Sequence, residues 1–132
     1  MQLFQQKKIK KTYLAFIQGN LTVRQGRIDS PIDGLSAKTE YRVLETRKDF
    51  SLVQVTPLTG RTNQIRIHFK NIGHPLVGES RFAFRKDYHL KAKRACLHAQ
   101  CLEFRHPFSG QILKIGIPLP KDMEDFLSRK RD

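Results

Sequence analysis

Between Ser51 and Phe69 the spacing of apolar residues changes from every second position to every third or fourth, which forces a strand, a break and a helix into one short segment. Ser51-Leu52-Val53-Gln54-Val55 alternates like a half-buried strand, and Pro57 with Gly60 then ends any hydrogen-bonded ladder. Ile65, His68, Phe69 and Ile72 follow at helical spacing. The pattern predicts a helix over about residues 62–72, with the Thr62 hydroxyl capping its first turn and Asn71-Ile72-Gly73 stopping it.

Arg61 and Arg66 bracket the start of that helix and add positive charge where the peptide dipoles are already positive. A negative group is therefore expected close by. One candidate is a phosphate or a reactive carboxylate held by the two guanidinium groups, whose planar forks suit such oxygens better than an ammonium does. The other arrangement is a solvated basic helix face, which composition alone favours. In either case Arg66 lies off the Ile65–Phe69–Ile72 stripe.

Elsewhere the pattern is that of strands and turns. Thr12 to Ile17 is rich in β-branched and aromatic residues and ends at Gln18-Gly19, so it reads as a strand with Tyr13, Ala15 and Ile17 on one face. Met1 to Lys11, lysine-rich with Leu3, Phe4 and Ile9, reads as the tail of a helix, an unusual place for a domain to begin. From Leu21 to Leu35, turn residues predict an irregular excursion holding one short strand, Leu21-Thr22-Val23. Thr39–Leu44 and Phe50–Val55 form a hairpin, and Ala95–Phe104 with Gln111–Ile117 form a second. Asp122 can cap a short C-terminal helix that buries Met123, Phe126 and Leu127. The expected fold is a single α+β domain over 1–132: a mostly antiparallel sheet of two hairpins plus the Tyr13 strand, with the central and C-terminal helices packed on it.

Twenty-five Lys and Arg against twelve Asp and Glu give a formal charge of +13, spread along the chain rather than gathered in a tail. Such a surface suits a polyanion, nucleic acid foremost. No apolar run approaches the length of a spanning helix and no signal-peptide pattern opens the sequence, so the expectation is a soluble cytoplasmic protein with no membrane partner. Cys96 and Cys101 are too few for a disulfide framework. They and His68, His74, His98 and His106 are conceivable zinc ligands, but no matching pair of cysteine-x-x-cysteine spacings exists, and no metal is expected. His98 and His106 fit better as residues that fix the second hairpin. Asp29, Asp33 and Glu45, on turn tips, fit solvated acids rather than a catalytic pair.

Gly60-Arg61-Thr62-Asn63-Gln64-Ile65-Arg66-Ile67-His68 resembles the glycine-arginine-threonine-histidine-glutamine segment of the RluA-type pseudouridine synthases. Lys11-Thr12-Tyr13-Leu14-Ala15, Gly73-His74-Pro75-Leu76-Val77-Gly78, Leu97-His98-Ala99 and Phe104-Arg105-His106-Pro107 resemble other segments of that family in the same order. The likeness spans essentially the whole chain. Asn63 stands where the family usually has histidine, and Glu79 where it usually has aspartate. The histidine-arginine-leucine-aspartate segment that carries the family's nucleophile has no counterpart, so the chain is similar to the C-terminal part of such a catalytic domain.

The resemblance implies isomerisation of uridine to pseudouridine in structured RNA, rRNA or tRNA, without cofactor or metal. It implies a catalytic Tyr13 against the uracil and a catalytic Arg66 paired with the aspartate, which an opposite charge at contact distance keeps ionised. It implies RNA contacts from Lys10, Lys11, Arg61, Asn63, Gln64, Arg81, Arg85 and Arg94. Phe82, Phe84 and Tyr88, interleaved with cations from Arg81 to Arg94, suit RNA in the same way, or else pin a surface loop. Without the aspartate the chain alone is expected to be inactive. The alternative is an RNA-binding module on the same scaffold without chemistry.

Overall fold

The computed structural model describes residues 9–82, 92, 94–106 and 108–129. Six strands form one antiparallel sheet: β1 (Ile9–Gln18), β2 (Gln25–Ile28), β3 (Thr39–Thr46), β4 (Phe50–Pro57), β5 (Leu97–Arg105) and β6 (Ile112–Gly116), in the order β2-β3-β4-β1-β5-β6. Two helices complete it, α1 (Gln64–Asn71) and α2 (Lys121–Arg129). This is the α+β arrangement that the alternation of the sequence predicts. Ile9 to Lys11 belong to β1 rather than to a helix, because the pairing with β5 reaches Ile9. Residues 1–8, the remainder of the expected helix tail, lie outside the described residues.

β1 is the central strand, and Leu14 to Gln18 are all buried. Its two faces feed two cores. Ala15 and Ile17 join Tyr41, Val43, Val53, Val55 and Leu76 under Ile65 and Phe69 of α1. Leu14 and Phe16 join Phe50, Leu52, Val77 and Cys96 under Met123 and Phe126 of α2. Phe50 and Phe126 meet edge to face at 5.1 Å between ring centroids, with Phe16 about 6 Å from each. Leu127 is only partly buried against this second core.

The short strand expected at Leu21-Thr22-Val23 forms instead at Gln25–Ile28, paired with β3. Gly26 lies directly over the Tyr41 ring, where an added Cβ would come within 3.2 Å of the hydroxyl oxygen. The Tyr41 hydroxyl donates to the carbonyl of Val23 at 3.0 Å, and residues 22–24 bend into β2 there.

A connector after α1 closes the sheet beside the C-terminal half of β1. Gln18 N–H donates to the Pro75 carbonyl at 2.8 Å, Val77 N–H to the Phe16 carbonyl at 2.8 Å, and Cys96 N–H to the Val77 carbonyl at 2.9 Å. The segment thus acts as an irregular strand where β5 has diverged from β1. Gly78 has φ +81°, and the backbone of Arg94 crosses directly over it.

Candidate active site

The C-terminal end of β4, the N-terminus of α1 and the start of β1 enclose a cleft of about 840 Å³ lined by Tyr13, Lys10, Lys11, Arg61, Asn63 and Arg66, among others. Its floor is a clasp centred on Gln64. The Gln64 side-chain oxygen accepts from the Thr59 hydroxyl at 2.6 Å and from Arg61 N–H at 3.1 Å, while its amide nitrogen donates to the Lys38 carbonyl and the Thr39 hydroxyl, both at 2.9 Å. All four of its hydrogen-bonding positions are taken. Gln64 lines the cleft but is buried, with its side chain spent on fixing the loop between β4 and α1 onto β3.

The same network reaches His68. Its Nε2 lies 2.8 Å from the Ser30 carbonyl, which can only accept, so Nε2 carries a proton, and Nδ1 is hydrogen-bonded to the Thr39 hydroxyl at 2.8 Å. His68 is a buried strut between α1 and the 30s loop. Among the described residues no three His, Cys, Asp or Glu side chains converge as a metal site would require.

The helix begins two residues later than its spacing suggests. Asn63, with φ 56°, is the N-cap in a left-handed conformation, and no side chain caps the helix. Asparagine tolerates that conformation better than most residues. Thr62 is consequently outside the helix and caps nothing. The Asn63 side-chain oxygen instead accepts from Arg66 Nη1 at 3.2 Å.

Arg66 has an acid of its own within the chain. Its Nε donates to Glu79 Oε1 at 2.6 Å and its Nη2 to Glu79 Oε2 at 2.7 Å, a bidentate fork in which the Glu79 side chain is 0% exposed and that of Arg66 29%. Glu79 Oε2 also accepts the backbone N–H groups of Arg81 and Phe82, at 3.0 and 3.3 Å. Burial pushes the Glu79 carboxyl up, but the Arg66 and backbone hydrogen bonds outweigh it and hold the group below the usual glutamate range. Donating to the Glu79 carboxylate raises Arg66 in turn. Arg66 is thus paired within the chain even though the family's aspartate segment has no counterpart here. The negative group that the helix terminus calls for is partly supplied by Glu79. Its sequence signal is faint but real: Glu79 is the only acid between Asp49 and Asp87.

The remaining candidates divide. Arg61 lines the cleft and donates through Nε to the Ser36 carbonyl at 2.7 Å, with no described residue accepting from its terminal nitrogens. Lys10 and Lys11 are exposed on the cleft rim, and Tyr13, partly buried, packs against the α1 core. Arg94 is turned the other way: its guanidinium pairs with Asp122 at the start of α2 and with the carbonyls of Ala95 and Leu97. That pairing also occupies Asp122, the expected helix cap. Arg81 is exposed beyond the cleft wall, its guanidinium 4.8 Å over the Phe82 ring. Arg85, Phe84 and Tyr88 lie outside the described residues.

His98 Nε2 is hydrogen-bonded to the Ile117 carbonyl at 3.0 Å, and His106 Nδ1 accepts from the N–H groups of Phe108 and Ser109, so both fix the second hairpin as expected.

The family profile described as RNA pseudouridylate synthase matches residues 1–71. The chain is 36% identical over 139 residues to an uncharacterized RNA pseudouridine synthase, YlyB, of Bacillus subtilis, covering 95% of this chain and 45% of that protein. It is 38% identical over 148 residues to the ribosomal large subunit pseudouridine synthase D of Nitrosomonas europaea, covering 97% of this chain and 43% of that protein. The chain thus spans less than half the length of these curated relatives. Among solved structures, human RNA pseudouridylate synthase domain containing 4 superposes with a TM-score of 0.83 at 20% identity, over 98% of this chain and 65% of that one. Human RNA pseudouridylate synthase domain containing 1 does so with a TM-score of 0.76 at 22% identity, over 98% and 69%. At these identities the superpositions establish the fold.

Proposed function

The chain belongs to the RNA pseudouridylate synthase family, and from that membership we propose that its cleft is the uridine-facing half of an active site acting on rRNA or tRNA. The observation that carries this is the convergence of Tyr13, Arg66, Arg61, Lys10 and Lys11 on one cavity. The reaction is an isomerisation. The bond from the ribose C1′ to uracil N1 breaks, the base turns, C1′ bonds to C5, and the proton lost from C5 is balanced by one gained at N1. Because a stacked base is out of reach, the nucleotide is flipped into the cleft. Tyr13 stacks on it there, and Arg61, Lys10 and Lys11 hold phosphates.

The nucleophilic aspartate has no matching motif within these 132 residues. We place it on a segment outside them, facing the side of Arg66 that Glu79 leaves open. Two measurements test the proposal. Incubated with rRNA or tRNA tritiated at C5 of uridine, the 132-residue chain is expected to release no tritium, and turnover by this chain alone would overturn the placing of the aspartate. A uridine-containing RNA hairpin is expected to bind Tyr13→Ala about tenfold more weakly than the parent, the effect of losing one stacked base. Equal affinity for the two, or a preference for duplex DNA over the hairpin at two salt concentrations, would overturn the role of the cleft.

A further inference from the structure

Arg66 carries five N–H groups, and among the described residues three are engaged: Nε and one on Nη2 by Glu79, one on Nη1 by Asn63. One N–H on each terminal nitrogen is left, on a side chain that lines the cleft. The Phe82 ring lies 5.1 Å from the guanidinium carbon and covers one face of the plane. Glu79 itself cannot drift, since its Oε2 is tied to two backbone N–H groups and its own N–H donates to the Leu76 carbonyl at 3.2 Å.

We infer that Glu79 is a positioning residue: it fixes the Arg66 guanidinium so that the two remaining N–H groups meet a second carboxylate in the cleft. The inference rests on the proposed function for the identity of that second acid. Its logic is geometric rather than electrostatic, because Glu79 partly cancels the charge on Arg66. A carboxylate attracted by charge alone would bind better without Glu79; one that needs a pre-aimed fork binds worse. The two effects have opposite signs, and Glu79→Gln separates them. The amide turns an NH₂ group toward one Arg66 donor, so the fork is lost while the size of the side chain is kept.

The test uses the 132-residue chain, nitrogen-15 NMR of arginine side chains, and acetate at constant ionic strength as the carboxylate probe. Arg66 is assigned by loss of its signals in Arg66→Lys, and thermal melting confirms that each variant is folded. In the parent, rotation about the Arg66 Nε–Cζ bond is expected to be slow, and acetate is expected to shift its terminal N–H signals saturably. In Glu79→Gln, rotation should quicken to that of the exposed arginines and acetate binding should weaken roughly tenfold, as expected for one charge-assisted hydrogen bond. Glu79→Asp, which keeps the fork chemistry, should restore part of both. Slow rotation or undiminished acetate binding in Glu79→Gln overturns the positioning role and leaves the cleft assignment standing. Parent Arg66 signals that do not respond to acetate overturn both.

Discussion

Gly78→Ala is expected to lower the stability of the domain by about 4 kcal/mol, seen as a fall of the melting temperature of roughly 10–15 °C. Two independent costs add. At φ +81° any side chain is strained, and the new Cβ would stand 2.1 Å from the Arg94 carbonyl oxygen and 2.9 Å from its carbon. The obstruction is backbone, so no rotamer change relieves it. Moving the 94–96 segment aside would also strain the Phe16–Cys96 and Cys96–Val77 hydrogen bonds that seal the end of β1. A melting temperature within a few degrees of the parent would mean that the two segments do not cross as closely as described.

Arg66→Ala is expected to cost about 3 kcal/mol at neutral pH, because it strands a carboxylate that is 0% exposed. The figure is at the low end of the range for broken buried pairs, since Glu79 keeps its two backbone donors. Two further results identify the cause. Adding Glu79→Gln to Arg66→Ala should recover most of the loss, the stranded charge having gone. The pH dependence should also change sign. In the parent the Glu79 carboxyl lies below its ordinary value of about 4.5, so its contribution is present above about pH 4.5 and is lost as the pH falls through the lower native value. Without Arg66 the largest opposing influence, burial, is less resisted, and the carboxyl rises. The difference in stability between parent and variant should therefore begin to shrink as the pH falls from neutral through the raised value of the variant, and shrink further below about pH 4.5 as the parent loses its own contribution. Urea melts across that interval measure it, and a constant difference would assign the loss to packing instead.

The strands and helices were legible wherever one face is apolar and the other polar. Thr39–Leu44 and Ile65–Phe69 show their period directly, whereas β4, read as half-buried, is buried on both faces, Phe50 and Leu52 in one core and Val53 and Val55 in the other. The motif arginines also declared themselves, as cations where a helix dipole disfavours them. What stayed hidden was satisfied at a distance. Gln64 reads as a polar contact at a helix start, and only the approach of Lys38 and Thr39 shows that its amide is internal. Arg66 reads as waiting for an acid, and only the turn at Gly78 brings Glu79 back to it. The Gln25–Ile28 strand escaped because QGRI has neither alternation nor β-branched content apart from its final isoleucine, and edge pairing with β3 supplies what its own propensity does not.

The burial of β1 on both faces has a consequence for how the polypeptide is made. Of the described elements this strand leaves the ribosome first, yet its ladder partners are β4 and β5, and the helix that covers its second face comes last of all. Within the described residues Leu14 and Phe16 therefore lack their last native cover until Met123 and Phe126 have been made, whereas Ile17 is covered once β4 and α1 are in place. Slowing translation between α1 and α2 would lengthen that exposure of Leu14 and Phe16 rather than help the strand fold.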